Sequence, residues 1–117
     1  MAGTVKVMIS EALKNEIFKK FKQDSKKIFK LMYDLKDNPK KGKLLGNVGG
    51  LQIKEIKYNS FRFYFITDGF KLKLLDENNL IEILIKFIRM SDKNSQQKTI
   101  DEIKNILTIL GSNIFSE

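Results

Sequence analysis

Residues 51–66, LQIKEIKYNSFRFYFI, decide how the chain folds. Leu51 to Tyr58 and Phe61 to Thr67 are dense in β-branched and aromatic residues, and Asn59-Ser60 between them is a turn signal, so the stretch reads as two antiparallel strands. In that pairing Lys57 and Arg62 fall on neighbouring positions while Phe61, Phe63 and Phe65 face a core. Arg62 is thereby expected on the open face of the sheet, although aromatics flank it in sequence. It is one of only two arginines, with Arg89, in a chain of twenty lysines.

Working outward, Asp68-Gly69 is a second turn signal, and Phe70 to Leu75 (FKLKLL) reads as the returning strand. Upstream, Pro39 to Gly50 (PKKGKLLGNVGG) is rich in Gly and Lys without a sustained period, and reads as a loop. Before it stand two short helices. Ser10 caps one with apolar positions Leu13, Ile17, Phe18 and Phe21, and Ser25 caps another with Ile28, Leu31, Met32 and Leu35. The second stops before Asn38-Pro39, because the residue before proline is pushed out of the helical region. Thr4 to Ile9 alternates Val5, Val7 and Ile9 as a first strand. Leu80 to Met90 (LIEILIKFIRM) carries both a helical stripe and a strand-like alternation of Ile81, Ile83, Ile85 and Phe87; its β-branched density favours a strand. Ile100, Ile103, Leu107 and Leu110 mark a last helix, which Gly111 ends.

At 117 residues the chain forms one domain, 1–117, and 42% hydrophobic against 31% charged residues is the balance of a folded protein. The expected class is α+β: an N-terminal strand and a helical hairpin packed on an antiparallel sheet, with a C-terminal helix. The net charge is +8, and Lys14 to Lys43 alone contributes +7. Such a field favours a polyanion, nucleic acid or an acidic protein segment, unless it is simply a solvated helical face. The chain has no Cys and no His, so disulfides and the commonest metal ligand are absent. Asp76-Glu77 and Asp101-Glu102 are too local to argue for magnesium, and no metal or cofactor is expected. Apolar runs fall short of the roughly 18 residues of a spanning helix and no apolar signal core opens the chain, so a cytoplasmic protein without membrane contact is expected.

The order strand, helix, helix, three or four strands, helix resembles the RelE/ParE toxin superfamily. Asn38-Pro39 followed by Gly42-Lys43-Leu44-Leu45-Gly46 and Gly50 resembles the loop these toxins place after their hairpin. Glu55-Ile56-Lys57, a tight turn and Phe61-Arg62 look like the family's "E-L-R … Y-R" strand pair, and Phe87 to Lys93 resembles the "F-x-K-K-x-x-K" segment of the HigB-like branch. The resemblance implies the toxin of a type II toxin–antitoxin pair, neutralised by a cognate antitoxin. RelE-like and HigB-like members cut messenger RNA on the ribosome without a metal, whereas ParE-like members poison DNA gyrase. It further implies functional roles for Lys57, Arg62, Arg89 and Lys93. Two departures open a second expectation, a non-catalytic member that inhibits a target such as gyrase or only binds RNA or antitoxin. Ile53 and Glu55 stand where RelE-like strands present lysines, and no Tyr or His follows the last strand. Residues 71–79 also look inserted.

RNA cleavage without a metal needs a base for the 2′-OH, a cation at the phosphate and an acid for the leaving oxygen. Arg62 suits the phosphate, because a guanidinium binds it bidentately and stays charged; the alternative is an ion pair with Glu55. Arg89 offers a second phosphate contact and completes, with Arg62 and Lys57, the candidate catalytic set. Lys54 and Lys93 are candidates for the RNA backbone, and these lysines, with Lys57, exchange a proton only if desolvated. Otherwise they are ordinary surface lysines. Tyr58 and Tyr64 are candidates for stacking on bases, against the alternative of half-buried sheet packing. An acidic or extended antitoxin segment over this basic face would neutralise it.

Overall fold

A computed structural model describes residues 4–74 and 81–116. It is an α+β domain with strands β1 (Thr4–Ile9), β2 (Lys43–Val48), β3 (Leu51–Tyr58), β4 (Phe61–Asp68) and β5 (Glu82–Ser91) and helices α1 (Glu11–Phe21), α2 (Ser25–Tyr33), α3 (Gly69–Leu74) and α4 (Gln96–Leu110). The strands form one sheet in the order β1-β5-β4-β3-β2. Its β2 to β5 neighbours pair antiparallel, and β1 joins at the edge parallel to β5. Reaching a parallel neighbour requires a crossover, and the hairpin together with the meander supplies it.

Period-two alternation along β4 builds two cores. Phe63 and Phe65 point to the α1–α2 hairpin and pack with Leu13, Ile17, Ile28 and Met32, while Tyr64 and Ile66 point to α4 and pack with Ile100, Ile103 and Leu107. Phe63 and Phe65 have no exposed surface, and truncating either to Ala would cost about 3–5 kcal/mol. In β5 the alternation slips: Tyr64 opposes Arg89, but Phe65 opposes Phe87, so Ile88 is an extra residue. This bulge lets Phe87 and Met90 stay in the hairpin core while Ile88 joins the α4 core. The strand reading of residues 82–90 is therefore the correct one; Leu80 lies outside the described residues.

Local chemistry explains the ends of the elements. Ser10 Oγ accepts from the Leu13 N–H at 3.3 Å and caps α1. Ser25, expected to cap α2, instead donates its hydroxyl to the Ile17 carbonyl at 3.2 Å and ties the two helices together. Gly111 ends α4 with φ +53°. On the hairpin, Lys19, Lys20, Lys26, Lys27 and Lys30 are exposed.

Two expectations are corrected. Pro39 to Gly50 is not a loop throughout: Lys43–Val48 is the edge strand β2, and Gly49-Gly50, at φ +55° and +86°, forms the two-residue turn into β3. Both residues need positive φ, which is the chemistry of the primed hairpin turns. The strand was hidden because its register breaks between Leu44 and Gly46 and its glycines interrupt any alternation. Phe70 to Leu75 is not a returning strand. Asp68 Oδ1 accepts from the N–H groups of Phe70 and Lys71 at 3.0 and 3.1 Å, which starts α3, and Leu72 alone of residues 70–73 is buried. Leu75, the Asp76-Glu77 pair and most of the suspected insertion lie outside the described residues. Among the described residues no helix is long and apolar enough to cross a membrane.

Candidate functional site

The sheet face toward α4 carries a charged cluster next to its apolar core. Register places Lys57 beside Arg62, Glu55 beside Tyr64, Arg62 beside Ser91 and Tyr64 beside Arg89, so alternation brings all six to one side. Arg62 Nε lies 3.6 Å from Glu55 Oε2, with the two side chains 11% and 1% exposed. The expectation that Arg62 stands on an open face is therefore corrected, and its alternative, the pair with Glu55, is what the structure contains. At 3.6 Å the pair is ionic but not a hydrogen bond. Among the described residues, neither carboxylate oxygen of Glu55 nor Nε of Arg62 has a hydrogen-bond partner.

Tyr64 is fully buried, so it is no stacking platform. Its hydroxyl lies 2.7 Å from Ser91 Oγ, and Ser91 Oγ donates to the Asp92 carbonyl at 2.9 Å. The carbonyl only accepts, so the phenol proton belongs to the Tyr64–Ser91 bond. Burial raises the phenol above its ordinary range.

Arg89 spans from the sheet to α4. Its Nε donates to Glu102 Oε1 at 2.9 Å and its Nη1 to the Ile88 carbonyl at 2.9 Å. Lys57 and Lys93 are exposed, Lys93 just beyond the end of β5. Lys54 and Tyr58 stand on the other face. Lys54 is 4% exposed, donates to the Lys40 carbonyl at 3.0 Å and lies over the Phe65 ring, 5.9 Å from its centroid. Tyr58 is half-buried and meets the Phe21 ring edge-on at 6.2 Å. These two candidates for RNA contact are thus separated from Arg62 by the thickness of the sheet, because even-numbered positions of β3 point to the hairpin. Among the described residues no group of three or more acidic side chains could hold a metal ion.

The chain finds no match. Family models, curated proteins and solved structures alike return nothing significantly similar to it. The site is accordingly defined by its own geometry: Arg62, Lys57, Tyr64 and Arg89 are brought together, and Lys54, Tyr58 and Lys93 are not part of that group. Ser91 is the member that the sequence motifs missed; Glu55 is named there, but only as the alternative ion-pair partner of Arg62. Glu55 was legible as the residue two positions from Lys57 on the same strand face. Ser91 depended on the bulge at Ile88, which no sequence pattern announces.

Proposed function

We propose that this chain is the toxin of a type II toxin–antitoxin pair, acting in the cytoplasm on messenger RNA at the ribosome and held inactive by a cognate antitoxin. The support is the element order, strand, helical hairpin, four strands and a final helix, with a short helix intervening, together with an arginine at the start of β4. The observation that carries the activity is the Glu55–Arg62 pair, whose charged groups lack hydrogen bonds.

A buried carboxylate and guanidinium with unspent hydrogen-bonding capacity are a base and a phosphate clamp in one place. Glu55 takes the proton of an RNA 2′-OH. The freed oxygen attacks the adjacent phosphorus, forming a 2′,3′-cyclic phosphate and breaking the bond to the 5′-oxygen. Arg62 neutralises the charge that develops on the phosphate, a water molecule protonates the departing oxygen, and the exposed Lys57 contributes a backbone contact. Arg89 and Lys93 bind the flanking backbone. Glu55 replaces the histidine that the chain lacks.

A second reading, a toxin that binds its target without cutting it, is favoured by the burial of Glu55 and Tyr64. Expression without antitoxin, with mapping of messenger RNA ends and of DNA breaks in the same cells, separates the two. Codon-phased cuts that vanish in Arg62→Lys support cleavage; intact RNA with gyrase-dependent breaks supports the second reading.

A further inference from the structure

On the hairpin side of the sheet, away from Arg62, a cleft of about 320 Å³ opens between α3 and the β2–β3 edge. Leu44 and Leu72 form its apolar wall and Gln52 contributes an amide. Three lysines line it, Lys40, Lys54 and Lys73, of which Lys40 already has an interaction of its own. Lys54 is 4% exposed and, among the described residues, makes one hydrogen bond, to the carbonyl of Lys40, which lines the same cleft. An ammonium has three protons to donate, and its placement over Phe65 supplies no further acceptor. Lys73 is exposed on α3, and neither lysine has a carboxylate within ion-pair distance among the described residues. Among the described residues, no acidic one lines the cleft.

A buried ammonium without a counter-ion is costly, and a fold that keeps one beside an open cleft is suited to receive an anion there. The Lys54 and Lys73 ammoniums match the two charges of a phosphate monoester, and the leucine wall accommodates an apolar carrier such as a nucleoside. We propose that this cleft binds a small phosphate monoester, its phosphate held by Lys54 and Lys73 and its carrier against Leu44 and Leu72. The site is independent of the cleavage reading, since it lies on the opposite face of the sheet.

Burial holds the Lys54 ammonium below its ordinary value, and a bound dianion would shift it back upward. Calorimetric titration with AMP, adenosine and inorganic phosphate tests the proposal. AMP is expected to bind, phosphate to bind more weakly and to compete with AMP, and adenosine not to bind. Losing one charge-assisted contact in Lys54→Met should weaken AMP about tenfold. Lys73→Ala, at an exposed position that leaves the fold intact, should weaken it several-fold, and Lys26→Ala on the far hairpin should leave it unchanged. No binding of AMP, equal binding of adenosine, a folded Lys54→Met that binds AMP as the wild type does, or an equal loss in Lys26→Ala overturns the proposal.

Discussion

Arg62 Nε lies 3.6 Å from Glu55 Oε2, across two strands joined at Asn59-Ser60, and neither carboxylate oxygen has a hydrogen bond among the described residues. Such a pair is poorly suited to stabilise a fold, because desolvation offsets much of its attraction. Breaking it is another matter. Arg62→Ala leaves a buried carboxylate alone and should cost about 3–5 kcal/mol in urea unfolding, whereas Glu55→Gln combined with Arg62→Met should recover most of that loss. A double variant no more stable than Arg62→Ala would show that the pair contributes to stability outright.

Tyr64 separates a structural role from a functional one. Tyr64→Phe deletes the bond to Ser91 while Ser91 keeps its bond to the Asp92 carbonyl, so stability should fall by about 1 kcal/mol. RNA cleavage should change less than about threefold in turnover, since a buried phenol touches no base. A large drop in cleavage with unchanged stability would assign the hydroxyl to the chemistry.

Lys54 gives the fold a pH dependence of defined sign. Its folded-state value is lowered by burial from the ordinary 10.5, so between the lowered value and 10.5 the unfolded chain binds more protons than the folded one. The cost of the buried charge is fully present below that window, and stability rises with pH across it. Relative to Lys54→Met, which has no such proton, the wild type should gain stability as pH is raised toward 10.5 in thermal melts. A difference that is flat with pH would contradict the burial argument.

Gly42 enters β2 with φ +108°, and a methyl group there would sit 2.7 Å from Phe65 Cζ and 3.2 Å from the Glu55 carbonyl oxygen. Gly42→Ala should therefore destabilise by about 2 kcal/mol, combining backbone strain with displacement of a core ring. A variant as stable as the wild type in chemical denaturation would show that this approach relaxes freely.

The parts of the fold that show in the sequence are those where one physical signal dominates. Val5, Val7 and Ile9 on β1, Ile28 and Met32 on α2, and Ile100, Ile103 and Leu107 on α4 repeat at the period of their element, and Asn59-Ser60 marks its turn. β2 escaped because it is an edge strand whose pairing breaks at Leu44/Gly46, and α3 because a single side chain, Asp68, turns an alternating stretch into a helix. At the site, adjacency of Lys57 and Arg62 follows from the turn alone. The pairing of Arg62 with Glu55 is one of two readings the sequence offers, and alternation alone does not choose between it and an open face. Lys54 went astray for a simpler reason: one position along a strand moves a side chain to the other face.

The central claim, that Glu55 and Arg62 cut RNA, is tested most directly by mapping messenger RNA 5′ ends in cells expressing the wild type or Arg62→Lys at equal levels. Lysine keeps the charge opposite Glu55 but loses the bidentate grip on phosphate. Codon-phased cuts are expected in the wild type, reduced at least about a hundredfold in Arg62→Lys. Undamaged messenger RNA during growth arrest by the wild type, or equal cutting by Arg62→Lys, would contradict it.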